Sequence, residues 1–348
     1  MKWSIDKLVS GIRYILKRLD VETNEDEIRR LKIDYMVFLE MIRIMDVDLY
    51  QKFKHIYYVK ESYFSLHDPL THDFCKDSFE NIINNQKGFI NFCRMTDRLI
   101  MRGVKPFYKN KIDADDYIEM VDCFFESFDP SLYKLYLRLL KDNINITETK
   151  YKFASARGIC YYDRLRKDPF VTAKFNGMRD ATVLPHEVGH AYQMLKLKDD
   201  DAILRYHLSS YRETYAKVLE LIFIHENING KYRRALLDEE RSMYDELIVV
   251  ADGYSNTIYK MDSYDMERSA ILAPDSAAPK SAMDDILSKT LAIYFYSIYL
   301  EDRNKFNELI TLFNDNIGRV KDSEITKMFP TREILRASNI AFRGFPRH

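Results

Sequence analysis

Apolar residues recur every three or four positions along most of the chain, with polar residues between them, which is the spacing of amphipathic helices. From residue 1 to about 150 this pattern predicts long helices broken by short polar turns. Examples are 26–45, 117–125 and 130–141, the last opening on Pro130 in a first helical turn. The texture changes near 156–175. There, Gly158-Ile159-Cys160-Tyr161-Tyr162 and Pro169-Phe170-Val171-Thr172-Ala173 are β-branched or aromatic runs separated by a charged turn at 163–168, which predicts a β-hairpin. Downstream, a turn is expected at 199–201, helices over 210–226, 239–259 and 287–313, and a loop rich in small residues and proline over 272–285. The expected organisation is an N-terminal helical lobe, 1–150, and a second lobe, 151–348, in one integrated two-lobed unit. No internal repeat or low-complexity segment interrupts it.

Just after the hairpin stands Leu184-Pro185-His186-Glu187-Val188-Gly189-His190, an H-E-x-x-H signature. On a helix, residues i and i+4 lie one above the other, so His186 and His190 present both imidazoles to one metal ion. Glu187 projects beside them, placed to take a proton from a water. The bare pentapeptide also arises on ordinary amphipathic helices, so the flanks have to decide.

A catalytic zinc takes three protein ligands and leaves one position open. The downstream candidates are Asp199 to Asp201, His207, Glu213, Glu220 and His225. A metzincin would carry Gly and His where this chain has Gln193 and Lys196, which excludes that class. The remaining common solution is a glutamate on the following helix. Glu213 falls in its expected first turn and is assigned as third ligand. Glu220, seven residues on and on the same face, is assigned to orient a ligand imidazole. Asp180, just before the motif helix, is either a second such acceptor or a helix cap. His207 and His225 stay ambiguous: each reads first as a surface or capping residue, and His207 contacts substrate if its loop borders the cleft.

Composition narrows the class. With 46% hydrophobic and 31% charged residues but only 10 Gly and 9 Pro in 348, the chain reads as a mostly helical globular protein. The 53 basic and 54 acidic side chains give a net charge of −1 without a block of either sign, so no nucleic-acid or membrane footprint is expected. No apolar stretch reaches the ~20 residues of a membrane span. The first residues lack the apolar core of a secretory signal. Cys75, Cys93, Cys123 and Cys160 are scattered and read as buried free thiols in a reducing compartment, so the cytoplasm is expected.

The local sequence resembles the oligoendopeptidase F and thimet oligopeptidase family of zinc peptidases. The resemblance runs through Asp168-Pro169-Phe170-Val171-Thr172-Ala173-Lys174-Phe175-Asn176-Gly177 and Leu184 to Gln193, where Gly189 and Ala191 extend it beyond the bare motif. It continues in Glu213-Thr214-Tyr215-Ala216-Lys217-Val218-Leu219-Glu220, with two glutamates seven residues apart. It implies a mainly α, zincin-like oligopeptidase fold of helical lobes around a substrate channel, with a small sheet next to the zinc helix. It also implies one Zn2+ per chain on His186, His190 and Glu213, Glu187 as general base, and short unfolded peptides as substrates. Gly158, Ile159 and Cys160, or the partner strand, would align the peptide by strand addition. The chain departs from the family late. Where a histidine and tyrosines should face the scissile carbonyl, it has Asp284, Asp285, Ile286 and Lys289. Tyr294, Tyr296 or Tyr299 serve only after a register shift, as do Tyr254, Tyr259 or Tyr264. The alternative is therefore a weakened relative that binds a peptide or protein partner without efficient turnover. Oligomeric state is not legible.

Overall fold

The computed structural model describes residues 5–24, 114–142, 144–147, 158–163, 167–174, 180–197, 199–227, 230–233, 279–330 and 332–334. It also describes short groups or single residues at 27–28, 31, 34–35, 38–39, 41–42, 46–53, 77, 236–237 and 240. The described residues are mainly helical, with one small sheet. Two compact units are formed, one from 1–68 with 109–195 and the other from 69–108 with 196–348.

The first unit contains helices α1 (Ile5–Leu19), α2 (Val47–Phe53), α3 (Ala114–Phe128) and α4 (Pro130–Asp142), and strands β1 (Ile144–Thr147), β2 (Gly158–Asp163) and β3 (Asp168–Lys174). It also holds all but the last two residues of helix α5 (Val183–Leu197). The hairpin expectation is met: β2 and β3 pair antiparallel, Gly158 opposite Ala173 and Asp163 opposite Asp168. Both strands extend into the charged segment, so the connecting turn is shorter than 163–168. Lys167 turns it with a φ of 52°, in the left-handed region. β1, which no sequence pattern announced, pairs parallel with β3 from Ile144 opposite Val171. Among the described residues the order β1-β3-β2 leaves β2 on an edge.

The period of two in β2 divides its side chains between two neighbours. Tyr161 and, on β3, Phe170 join Leu8, Ile12 and Ile15 of α1 with Tyr35, Leu39 and Ile42 in one buried core, with Ile159 packed against it. Tyr161 meets Phe38 edge to face at 5.6 Å, and its hydroxyl donates to Asp34 Oδ1 at 2.9 Å. The alternate residues, Gly158 and Cys160, lie against α5 instead.

The second unit contains α6 (Asp200–Leu208), α7 (Thr214–Asn227), α8 (Pro279–Glu301), α9 (Arg303–Asn316) and α10 (Asp322–Met328). Several expected boundaries move. The segment 199–201 opens a helix: Asp199 caps α6 by accepting the Ala202 N–H at 3.0 Å, so the aspartate run complements a helix N-terminus. The expected helix over 287–313 is two helices, broken at Asp302, whose carboxylate accepts the N–H groups of Asn304 and Lys305. α8 begins at Pro279, so part of the expected loop over 272–285 is helical. Gly318, with a φ of +75°, follows α9, and a Cβ there would lie 2.7 Å from the carbonyl of Ala202. α7 is buried almost all round and packs on α8, which packs in turn on α9. Among the described residues no helix is long and apolar enough to cross a membrane. Most of the expected helix 239–259 lies outside the described residues, as do Tyr254, Tyr259 and Tyr264.

Candidate metal centre

α5 begins where its sequence allows. The carbonyl of Thr182 accepts the N–H of His186 at 3.0 Å, which places Pro185 in the first turn, where its missing N–H removes no helical hydrogen bond. The free N–H of Leu184 is met by the Tyr117 hydroxyl of α3 at 3.4 Å. Tyr117 is buried, and burial, with smaller contributions from Tyr136 and Asp180, pushes its hydroxyl well above the usual tyrosine range. It stays a neutral cap. Asp180 is buried in the turn that leads into α5.

The expected superposition of i and i+4 holds. His186 Nε2 and His190 Nε2 lie 3.1 Å apart, with rings nearly perpendicular at 4.7 Å between centroids. Two ligands about 2.0–2.1 Å from a tetrahedral ion stand about 3.3 Å apart, so this spacing fits one shared ion. Glu187, on the same turn, is 5% exposed and directed at β2, where its Oε1 and Cγ occupy the room a Gly158 side chain would need. Cys160, two residues along the same face of β2, is buried. Burial, and then the nearby Glu187 charge, raise its thiol well above the usual cysteine range. It is a thiol in this setting, not a thiolate.

Glu213 is not in the first turn of a helix, as expected, but just before it. Its carbonyl accepts the N–H of Lys217 at 3.0 Å, the first bond of α7, while 209–213 form turns. Its Oε1 accepts Arg212 Nε at 2.9 Å, and Arg212 also reaches the carbonyl of His207. His186 and His190 lie in the first unit, and Glu213, the carboxylate expected as third ligand, lies in the second. Glu220, 5% exposed on α7, accepts Lys217 Nζ at 2.7 Å.

The late tyrosines sit on α8. Tyr296 is buried, facing the His225 ring at 6.0 Å and stacked near Tyr299, whose hydroxyl bonds Glu226 under the guanidinium of Arg303. Tyr294 is half-buried beside Phe295, and burial raises its hydroxyl above the usual range, with Glu333 adding to the shift. His207 lies at the end of α6 beside Tyr206. The expectation of buried thiols is corrected for Cys123, which is exposed on α3. Its neighbours on the polar side of that helix set its direction, not its own hydrophobicity. Cys75 and Cys93 lie outside the described residues. Sequence reasoning missed Tyr117 and Arg212. Only the second left a local trace, as the residue next to Glu213.

No protein-family model and no curated protein matches the chain. Solved structures do. A protein assigned as oligoendopeptidase F from Bacillus anthracis str. Ames is similar at 14% identity over 99% of this chain and 71% of its own, with a TM-score of 0.47. Another assigned oligoendopeptidase F is 17% identical over 98% of this chain and 74% of its own, with a TM-score of 0.46. PZ peptidase A, solved with an inhibitor, is 15% identical over 97% of this chain and 70% of its own, with a TM-score of 0.48.

Proposed function

We propose that this chain is a zinc-dependent endopeptidase of short unfolded peptides, acting in the cytoplasm with one zinc per chain held by His186, His190 and Glu213. The observation that carries the reading is the convergence of two imidazole nitrogens, 3.1 Å apart, beside a buried glutamate that abuts an edge strand. The donor chemistry fits zinc: two imidazoles and one carboxylate is a set that catalytic zinc sites use, whereas structural sites take four protein ligands, commonly with cysteine. When bound, the ion would polarise the peptide carbonyl and bring the pKa of a water towards ~7.

The chain's own residues supply the rest. Glu187 takes a proton from the attacking water and returns it to the departing amine, so a single carboxylate serves as base and then acid. Its burial against β2 keeps it out of bulk water, where the proton would be lost to solvent. The edge of β2 at Gly158, Ile159 and Cys160, which pairs with β3 alone among the described residues, offers main-chain groups to an extended peptide, which excludes folded substrates. For the developing oxyanion the reading proposes Tyr294 over Tyr296. Tyr294 is only half-buried, whereas Tyr296 is packed against His225 and Tyr299. Glu220 and Asp180 are proposed as carboxylates that orient the ligand imidazoles. The resemblance of Leu184 to Gln193 and of Glu213 to Glu220 to oligopeptidase motifs supports the same assignment.

The test is cleavage of a mixed library of quenched-fluorescent peptides by wild type, Glu187→Gln and chelator-treated protein, with metal content measured in each. Hydrolysis by wild type alone, with Glu187→Gln still holding one zinc, supports the peptidase. Zinc-loaded wild type that binds peptides but cleaves none overturns it in favour of a binding protein. That alternative rests on the non-family residues Asp284, Asp285, Ile286 and Lys289.

A further inference from the structure

The turn that carries Glu213 is tied down by a carboxylate more than a hundred residues away in sequence. Asp322, at the start of α10, is 1% exposed. Its Oδ1 accepts the Ser209 hydroxyl at 2.6 Å and its Oδ2 accepts the Ser210 N–H at 2.8 Å. The ties continue through the turn. Ser209 Oγ accepts the Tyr211 N–H at 3.1 Å, the Ser210 carbonyl accepts the Ser288 hydroxyl at 2.8 Å, and Tyr211 Oη bonds Thr326 Oγ1 at 2.7 Å. α10 is itself anchored, because Asp77 accepts both the N–H and the hydroxyl of Ser323, at 3.0 and 2.6 Å.

Burying a carboxylate is costly unless strong hydrogen bonds replace its water. Here those bonds go to a five-residue turn whose last member is Glu213. On the far side of that residue α7 is fixed by its own core packing and by the Glu213 carbonyl to Lys217 N–H bond. Glu213 is thus the joint between a helix that packing immobilises and a turn whose position these hydrogen bonds set. We infer that Asp322 is a positioning residue for Glu213: by locking 209–212 it holds the Glu213 carboxylate where a metal ion can share it with the two histidines. The inference rests on the reading of Glu213 as a metal ligand.

The experiment measures affinity for zinc by competition with a chromophoric chelator, below the unfolding temperature of every variant. The proteins are wild type, Asp322→Asn, Glu213→Ala and the double variant; the visible spectra of their cobalt(II) forms are recorded alongside. Asparagine keeps the size of Asp322 but loses one of its two acceptors. Asp322→Asn is expected to weaken zinc about 10–100-fold, the usual effect of disturbing a group that orients a ligand. It should also shift the cobalt spectrum towards that of Glu213→Ala, and it should cost nothing further once Glu213 is gone. If Asp322→Asn does not fold, Ser209→Ala, which cuts one of the two ties, should show the same pattern at smaller size. Unchanged affinity in Asp322→Asn, while Glu213→Ala loses zinc, overturns the inference and leaves the ligand assignment standing. An equal loss with and without Glu213 also overturns it, because the effect is then general loosening. Undiminished zinc binding by Glu213→Ala overturns the ligand assignment, and the inference with it.

Discussion

Gly158 and Glu187 share one space: a Cβ on Gly158 would lie 2.5 Å from Glu187 Oε1, 2.8 Å from its Cγ and 2.8 Å from Val183 Cγ1. Real side chains do not tolerate such distances, so the strand can approach α5 this closely only because residue 158 has no side chain. The edge strand proposed to hold the substrate and the carboxylate proposed to act on it are therefore packed directly together.

Gly158→Ala should force Glu187 to move. Overpacking of this kind costs about 1–3 kcal/mol, read as a lower urea midpoint. If Glu187 is the base, kcat falls at least tenfold with bound metal unchanged. In a Glu187→Ala background two of the three close atoms are gone, and the stability cost of the alanine should shrink. An equal cost in both backgrounds would show that the two residues do not compete for the space.

Tyr117→Phe removes the hydroxyl that meets the Leu184 N–H in the first turn of the metal helix. An unmet buried donor costs about 1–3 kcal/mol, and the 3.4 Å contact places the loss at the lower end. Hydrogen exchange at Leu184 should accelerate. An unchanged exchange rate there would mean the hydroxyl caps nothing.

The cysteines should differ sharply towards an alkylating agent. Exposed Cys123 should be labelled in the folded protein at pH 8, while Cys160, buried and held as a thiol, should react only after denaturation. Peptide mapping by mass spectrometry distinguishes the sites. Rapid labelling of native Cys160 would contradict its burial against α5.

Glu240 supplies a pH dependence of stability. It is buried, and burial pushes its carboxyl up to about 7 from the ordinary value of 4.5. The folded state therefore binds the proton more tightly than the unfolded chain. The sign follows: stability is highest below about pH 4.5, as far as this group is concerned, declines as pH rises to about 7, and is flat beyond. The decline is roughly 3 kcal/mol by the linkage between pKa and free energy. Urea midpoints across that range should fall in wild type relative to Glu240→Gln. Parallel pH profiles would refute the burial of an ionisable group there.

What the sequence by itself determined is what short-range geometry dictates. A 3.6-residue period places His186 over His190, and a two-residue period sends Tyr161 to the core while Gly158 and Cys160 turn to α5. Both follow wherever the segment folds, so the motif helix and the hairpin were readable one residue at a time. The tertiary structure decided where elements stop and what holds them. The helix expected from 210 begins at Thr214, and the turn before it is held through the Ser210 N–H by Asp322, 112 residues on. The parallel strand β1 exists through its pairing with β3, and the N–H of Leu184 is met by a tyrosine 67 residues earlier. A backbone group takes whichever partner the packed chain brings within about 3 Å, and local spacing carries no record of a partner that distant in sequence.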